Sequence, residues 1–289
     1  MRTFFIDFMK HRKAALMLSL LCIAASLGLI FVKGLNLGID FTGGNVVQVE
    51  FTQPTAIEDI RQVLASVGQG GSVIQSYSDR GVIIRISANE EEARRQTVES
   101  LRSKFPGMQV IRLEKVGPVV GEELRQEAFI ALILALAGIL AYITVRFQFR
   151  FAVVSVAALL HDAVITLGMF SLTGMEISSS FIAAILTIVG YSLNDTIVVL
   201  DRVRENWKNL RSAGIVELLN SSINQTLSRT INTSVTTLLP VIALYLWGGE
   251  VLRSFSFALL VGILVGTYSS IFIASGLLAE WWNKVPQKG

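Results

Sequence analysis

The chain has 289 residues, of which 52% are hydrophobic and 16% charged, against roughly a quarter charged in a soluble domain; an ordinary soluble globule is excluded, as are collagen-like and disordered classes. One cysteine, Cys22, and two histidines leave neither an internal disulfide nor a Cys/His constellation for zinc or redox chemistry, so no metal site is expected. The net charge of +3 is a topology signal and not a nucleic-acid footprint, because the basic excess flanks apolar runs while residues 34–127 are net acidic.

The first apolar run, 14–32, follows Arg2, Lys10, Arg12 and Lys13 and is long enough to cross a bilayer. A cleavable signal peptide shares this basic-then-apolar order, but its apolar part is shorter, and Lys33-Gly34-Leu35 offers no small-x-small cleavage pattern. Residues 1–33 are therefore read as a cytoplasmic N-terminus with a retained helix. Cys22 lies within that helix, preceded by Leu20-Leu21 and not by the small residue a lipoprotein site needs, and is read as lipid-facing or packing material.

Residues 34–127 form a soluble insert. Val46–Thr52 predicts a strand, Pro54–Val67 a helix opened by proline, and Ser72–Tyr77 with Gly81–Ala88 a strand pair across Ser78-Asp79-Arg80. Asn89 then caps a helix starting Glu90-Glu91-Glu92, whose acids suit the positive end of the helix dipole, and Gln109–Val116 supplies a last strand. The order βαββαβ predicts an α+β ferredoxin-like domain. The insert holds no His and no Cys, so a binding or mechanical module is expected and not an enzyme site.

Further runs at 129–145, 151–173, 177–200, 231–247 and 255–278 make this a polytopic α-helical membrane protein with six transmembrane helices, the insert lying between helices 1 and 2. Arg146, Arg150, Arg202, Arg204, Lys208, Arg211, Lys284 and Lys288 fall on the side of the N-terminus. By the positive-inside rule that side is cytoplasmic and the insert extracytoplasmic. Residues 128–280 then hold helices 2–6 with a cytoplasmic loop at 201–230, and 281–289 form a cytoplasmic tail. Trp247, Trp281 and Trp282 sit at expected interfaces. The Asn-x-Ser/Thr matches at Asn194, Asn220, Asn224 and Asn232 lie in membrane or cytoplasmic segments, so glycosylation is not expected.

Several polar groups stand where hydrocarbon disfavours them. Asp162, beside His161, is at the middle of the third span, where an ionised carboxylate costs about 2.5–3.5 kcal/mol on the most lenient scale. Helical spacing places Ser155, Leu159, Asp162, Thr166, Met169 and Thr173 on one side, with His161 about 100° away and read as packing. Asp195 lies six residues before the interfacial Asp201, or about 9 Å inward, with Tyr191, Asn194 and Thr196 near it. Arg229 opens the fifth span, followed by Asn232, Thr233, Thr236 and Thr237. Asp195 and Arg229 thus reach one depth from the cytoplasmic side. Alone, Arg229 could snorkel to the interface and Asp195 could bond a neighbouring helix; Asp162 is read as a proton-pathway residue against a purely structural hydrogen bond. Gly262 and Gly266 form a GxxxG pattern read as close helix packing, and Pro240 is a candidate kink.

Gly38-Ile39-Asp40-Phe41-Thr42-Gly43-Gly44, His161-Asp162-Ala163-Val164-Ile165-Thr166, Gly190 through Asn206 and Ser222 through Thr230 resemble the SecF family of bacterial protein-export membrane proteins, within the resistance-nodulation-division superfamily. The similarity runs in order along nearly the whole chain. It implies a multi-pass protein of the bacterial plasma (inner) membrane that pairs with SecD and the SecYEG channel and uses the proton-motive force to help draw unfolded preproteins outward. The family's proton-linked Asp and Arg carry over to Asp195 and Arg229; Asp162 carries over only as part of its His-Asp motif. Asn194, Thr166, Tyr191 and Thr233 are expected as supporting polar groups, and Asp40, Gly43 and Gly44 as the motif through which the insert hinges.

With one copy of the six-span unit, the chain reads as half of a pseudo-symmetric transporter completed by a partner. A proton-driven exporter of lipid or small molecules and an inert assembly scaffold are the other classes. The insert is small for the ligand-sized pocket the first needs, and a scaffold would tolerate loss of Asp195 and Arg229. No phosphate-binding loop or nucleophile-base set is present, so no enzyme is expected; the resemblance implies protons as the coupling ion and no cofactor.

Overall fold

The computed structural model describes residues 5–86, 91–210 and 214–284. The chain divides into two compact units, Met1–Asn36 with Ile130–Gly289, and Leu37–Phe129.

The first unit is helical. A short 3-10 turn at Met9–His11 leads into α1 (Arg12–Lys33). Then come α5 (Pro118–Arg146), whose first twelve residues belong to the second unit, α6 (Phe149–Thr173), α7 (Ser179–Leu210), α8 (Ile215–Trp247) and α9 (Gly249–Tyr268), which runs through a π-helical turn at Ser269–Ala274 into α10 (Ser275–Lys284). Among the described residues six helices are long and apolar enough to cross a membrane, from Met9–Lys33 to Leu252–Trp282, and the chain is a multi-pass membrane protein. The helices run further than the apolar runs predict. The segment 201–230, expected as a loop, is almost wholly the extended ends of α7 and α8, because its polar residues fall on helical faces that need no lipid. Residues 211–213 of that segment lie outside the described residues.

In hydrocarbon, helices gain little from burying apolar side chains, so close backbone approach decides packing. A Cβ at Gly168 of α6 would meet Ser26 of α1, with the Ser26 Cα only 2.8 Å away, and a Cβ at Gly262 of α9 would meet Ile188 of α7. The Gly262 and Gly266 pattern is therefore a packing seam, as its spacing predicts. Cys22 is exposed from the bundle. Leu200, Leu218, Leu219, Ile223 and Leu278 bury one apolar cluster with Met9 and Ile143. Asn224 clasps the N-terminal segment there: its Oδ1 accepts from Ile6 N at 2.9 Å and its Nδ2 donates to Ile6 O at 2.8 Å. Asn220 Oδ1 accepts from Met9 N at 3.3 Å. Gly174, in the left-handed region at φ 71°, ends α6 and donates to Phe170 O.

The second unit begins with α2 (Ile39–Thr42), then β1 (Gly44–Glu50), α3 (Ile57–Ser66), β2 (Val73–Ser76), β3 (Gly81–Ile86), α4 (Glu91–Lys104) and β4 (Gln109–Val116). The strands form one sheet in the order β2-β3-β1-β4, every neighbour antiparallel, with Val47 opposite Ile84 and Leu113. Val47, Val49, Ile84 and Ile86 pack on Ile60, Leu64 and Leu101 of the two helices. The periodicity of these positions makes one face of each helix apolar. Pro54 does not open α3. The helix starts at Ile57 after an extended Ala56, because Thr55 turns back to Gln53 O. The expected cap at Asn89 lies outside the described residues.

Candidate functional site

Asp162 is 1% exposed and is held from three sides. Its Oδ2 accepts from Ser192 Oγ of α7 at 2.6 Å and from Ser269 Oγ of the π turn at 2.8 Å. His161 Nδ1 lies 2.9 Å from Oδ1, where the Nδ1–H tautomer donates. His161 is therefore a partner of Asp162 and not mere packing: the two Cα–Cβ vectors diverge by one helical step, but the side chains bend toward each other. Its ring also stacks on Tyr268, 6.3 Å between centroids. Tyr268 Oη in turn donates to Ala15 O at 3.0 Å and accepts from Ser19 Oγ at 3.2 Å, tying in α1. A Cβ at Gly266 would stand 2.9 Å from the Ser192 Cβ and 3.4 Å from Asp162 Oδ2, so this glycine, expected only as helix packing, also shapes the carboxylate's surroundings.

The polar side of α6 is buried at Ser155, Leu159, Asp162 and Thr166 but opens at Met169 and Thr173. Thr166 Oγ1 donates to Asp162 O at 2.8 Å. The π turn links this cluster to the next. Its Ser270 Oγ shares a hydrogen bond with Thr196 Oγ1 at 2.9 Å and donates to Ser192 O at 3.3 Å. π turns inside α-helices are frequent at functional positions.

Asp195 differs from Asp162. It is 2% exposed, yet its Oδ2 has no hydrogen-bond partner. Arg229 stands on the neighbouring helix α8, but among the described residues it forms no ion pair with Asp195 within 4 Å. Arg229 instead points out of the chain, on a face of α8 that also exposes Asn232 and Thr236, and Asn194 of α7 is exposed as well. Thr233 donates back to Arg229 O at 2.8 Å. The buried Tyr191 Oη, Thr230 Oγ1 and His161 Nε2 also lack partners.

Gly43 and Gly44 lie inside the second unit and not between units. Gly43, at φ 68°, ends α2, and Gly44, at φ 126°, starts β1 opposite Val116, with a Cβ there only 2.8 Å from Ile86 O. Asp40 stands in the first turn of α2. The cage serines and the π turn were missed by sequence reasoning; a run of hydroxyl residues, Ser269-Ser270, inside an apolar span was the available signal.

Among the described residues six membrane-length helices bury two carboxyl groups, Asp162 and Asp195, with an arginine exposed on a neighbouring span, which defines a polytopic membrane protein of the transporter class. The family model for the SecD/SecF protein-export membrane protein C-terminal region matches residues 96–284, and that for the SecD/SecF GG motif matches 28–55. The chain is 49% identical to the protein translocase subunit SecF of Desulfurispirillum indicum, covering 97% of this chain and 93% of that one. It is 44% identical to the SecF subunit of Pseudomonas aeruginosa, covering 96% and 92%. The crystal structure of SecDF, a translocon-associated membrane protein from Thermus thermophilus, superposes with a TM-score of 0.91 at 44% identity; the match covers 96% of this chain and 39% of that longer one. The chain belongs to the SecD/SecF family of protein-export membrane proteins.

Proposed function

We propose that this chain is the SecF-type half of the accessory Sec complex, coupling the proton-motive force to late steps of preprotein export through SecYEG. The observation that carries this reading is Asp195: a carboxyl group buried in a membrane-length helix with an unbonded oxygen, while Arg229 stands on the next span. A group held this loosely can gain and lose a proton without dismantling a network, unlike Asp162. The exposed Arg229, Asn232 and Thr236 need cover within a bilayer, and SecD supplies it. The Thermus relative, named SecDF, is a single chain of which this one matches 39%, which supports SecD as the missing half.

In this reading the βαββαβ unit is a ferredoxin-like domain outside the cytoplasm, both chain ends are cytoplasmic, and the protein sits in the bacterial inner membrane. Protonation of Asp195 changes its interaction with Arg229, and α7 and α8 repack against the partner. Each charge crossing supplies about 2.3 kcal/mol per 100 mV, enough to shift a two-state equilibrium by more than tenfold. No cofactor besides the proton is required, and the role is transport and not enzymatic catalysis. The test is proton-gradient-dependent completion of preprotein translocation in inverted vesicles carrying Asp195→Asn or Arg229→Met. The expected result is loss of the gradient-dependent step with assembly intact; undiminished late-stage export in either variant refutes the reading.

A further inference from the structure

Four of the membrane-length helices end or begin within one cluster, at Arg146, Phe149, Trp207 and Trp282. The guanidinium of Arg146 lies 5.3 Å from the Phe147 ring centre and that of Arg204 5.6 Å from the same ring. Arg150 lies 5.0 Å from the Trp282 ring, which packs on Trp207 with centroids 4.8 Å apart. Three guanidinium groups from the ends of α5, α6 and α7 are thus steered onto two aromatic faces, an arrangement that orients an arginine without neutralising it.

None of these three has a carboxylate partner within 4 Å among the described residues. Two other arginines on the same side of the bundle do: Arg12 pairs with Glu280 at 3.1 Å and Arg202 with Glu205 at 2.6 Å. The three cations without a carboxylate each present a planar guanidinium to an anion at the depth where helices leave hydrocarbon, with one arm of Arg204 also donating to Arg146 O at 3.5 Å. Val145 and Phe149, 89% and 58% exposed, flank Arg146 and Arg150 in the chain and offer apolar surface. Phosphodiester groups are the anions concentrated at that depth.

We propose that Arg146, Arg150 and Arg204 hold the phosphate groups of anionic glycerophospholipids in the adjoining leaflet, whose acyl chains lie along Val145 and Phe149. The site is separate from Asp195 and Arg229 and stands whether or not those residues carry protons. An acidic segment of a partner protein is the competing occupant; the exposed apolar residues beside the arginines favour lipid.

The full-length protein, stripped of lipid in detergent, is offered phosphatidylglycerol or phosphatidylcholine, and bound lipid is counted by native mass spectrometry, with glycerol phosphate as soluble competitor. The wild type is expected to prefer phosphatidylglycerol, and glycerol phosphate at equal concentration to leave that lipid in place. The combined R146Q/R150Q/R204Q variant should lose about one hundredfold in affinity, each charge contributing roughly fivefold, while R202Q binds as wild type. Equal binding of the two lipids by the wild type, complete displacement by glycerol phosphate, or unchanged binding by the triple variant overturns the proposal. Should the triple variant fail to fold, R150K, which keeps the charge but loses the guanidinium fork, must still weaken phosphatidylglycerol binding, and the wild-type preference stands as an independent test.

Discussion

Ser192 Oγ donates to Asp162 Oδ2 at 2.6 Å across the α6 and α7 interface, while Asp195, three residues further along α7, leaves Oδ2 without a partner. One helix thus satisfies a neighbour's carboxyl group and carries an unsatisfied one of its own. A fully bonded carboxyl in a low-dielectric site is costly to disturb, whereas an unbonded one is costly to keep. Asp162 thereby ties α6 to α7 and the π turn, and the proposed change of protonation state falls more readily on Asp195.

The cage around Asp162 should show in stability. Asp162→Ala strands the Ser192 hydroxyl in a dry site, at about 1–3 kcal/mol, whereas Ser269 keeps Gly266 O as an acceptor 3.1 Å away. Asp162→Asn retains one acceptor oxygen and should lose less. The ordering wild type above Asn above Ala in thermal unfolding of the detergent-solubilised protein checks this, and equal midpoints for all three would show that the cage contributes nothing.

Close approach of α1 and α6 depends on Gly168. Its Cβ position is occupied by Ser26, whose backbone Cα is 2.8 Å away, so Gly168→Val must push the helices apart and cost roughly 1–3 kcal/mol through overpacking. A Gly138→Val variant is the control, since a Cβ there meets nothing within 4 Å. Thermal unfolding of the two separates a packing effect from a general loss of glycine.

The N-terminal segment is fastened by Asn224, which makes both a donor and an acceptor contact to Ile6. Asn224→Ala removes two hydrogen bonds at the bundle's surface, worth about 0.5–1.5 kcal/mol each. Hydrogen exchange at residues 5–9 should quicken by about tenfold, with the membrane helices unaffected; unchanged exchange would mean that the segment is held by Met9 and its apolar neighbours alone.

Membrane spans and the order of strands and helices were legible because both rest on local pattern: apolar length for the spans, and alternation around Val47 and Ile84 for the sheet. The unusual ionisable residues were legible too, since Asp162, Asp195 and Arg229 are conspicuous in apolar runs. Their partners were not. Ser192 and Ser269 lie 30 and 107 residues from Asp162, and a serine in a span reads equally well as packing. His161 was misjudged because helical angle alone ignores the bend of the two side chains. The long polar ends of α7 and α8 were taken for a loop because apolar length reports where lipid ends and not where a helix ends. The backbone of the Gly43-Gly44 motif was not legible: Gly43 ends α2 at positive φ, and Gly44, also at positive φ, starts β1 with Ile86 O where a Cβ would stand.

The most direct test is a double-variant cycle in inverted vesicles, comparing Asp195→Asn, Arg229→Met and the two combined for proton-gradient-dependent completion of translocation. Residues that act as one unit are non-additive. The account predicts that each single variant abolishes the gradient-dependent step and that the combined variant is no worse than either. Partial losses that multiply in the combined variant, or full export in any of the three, would contradict it.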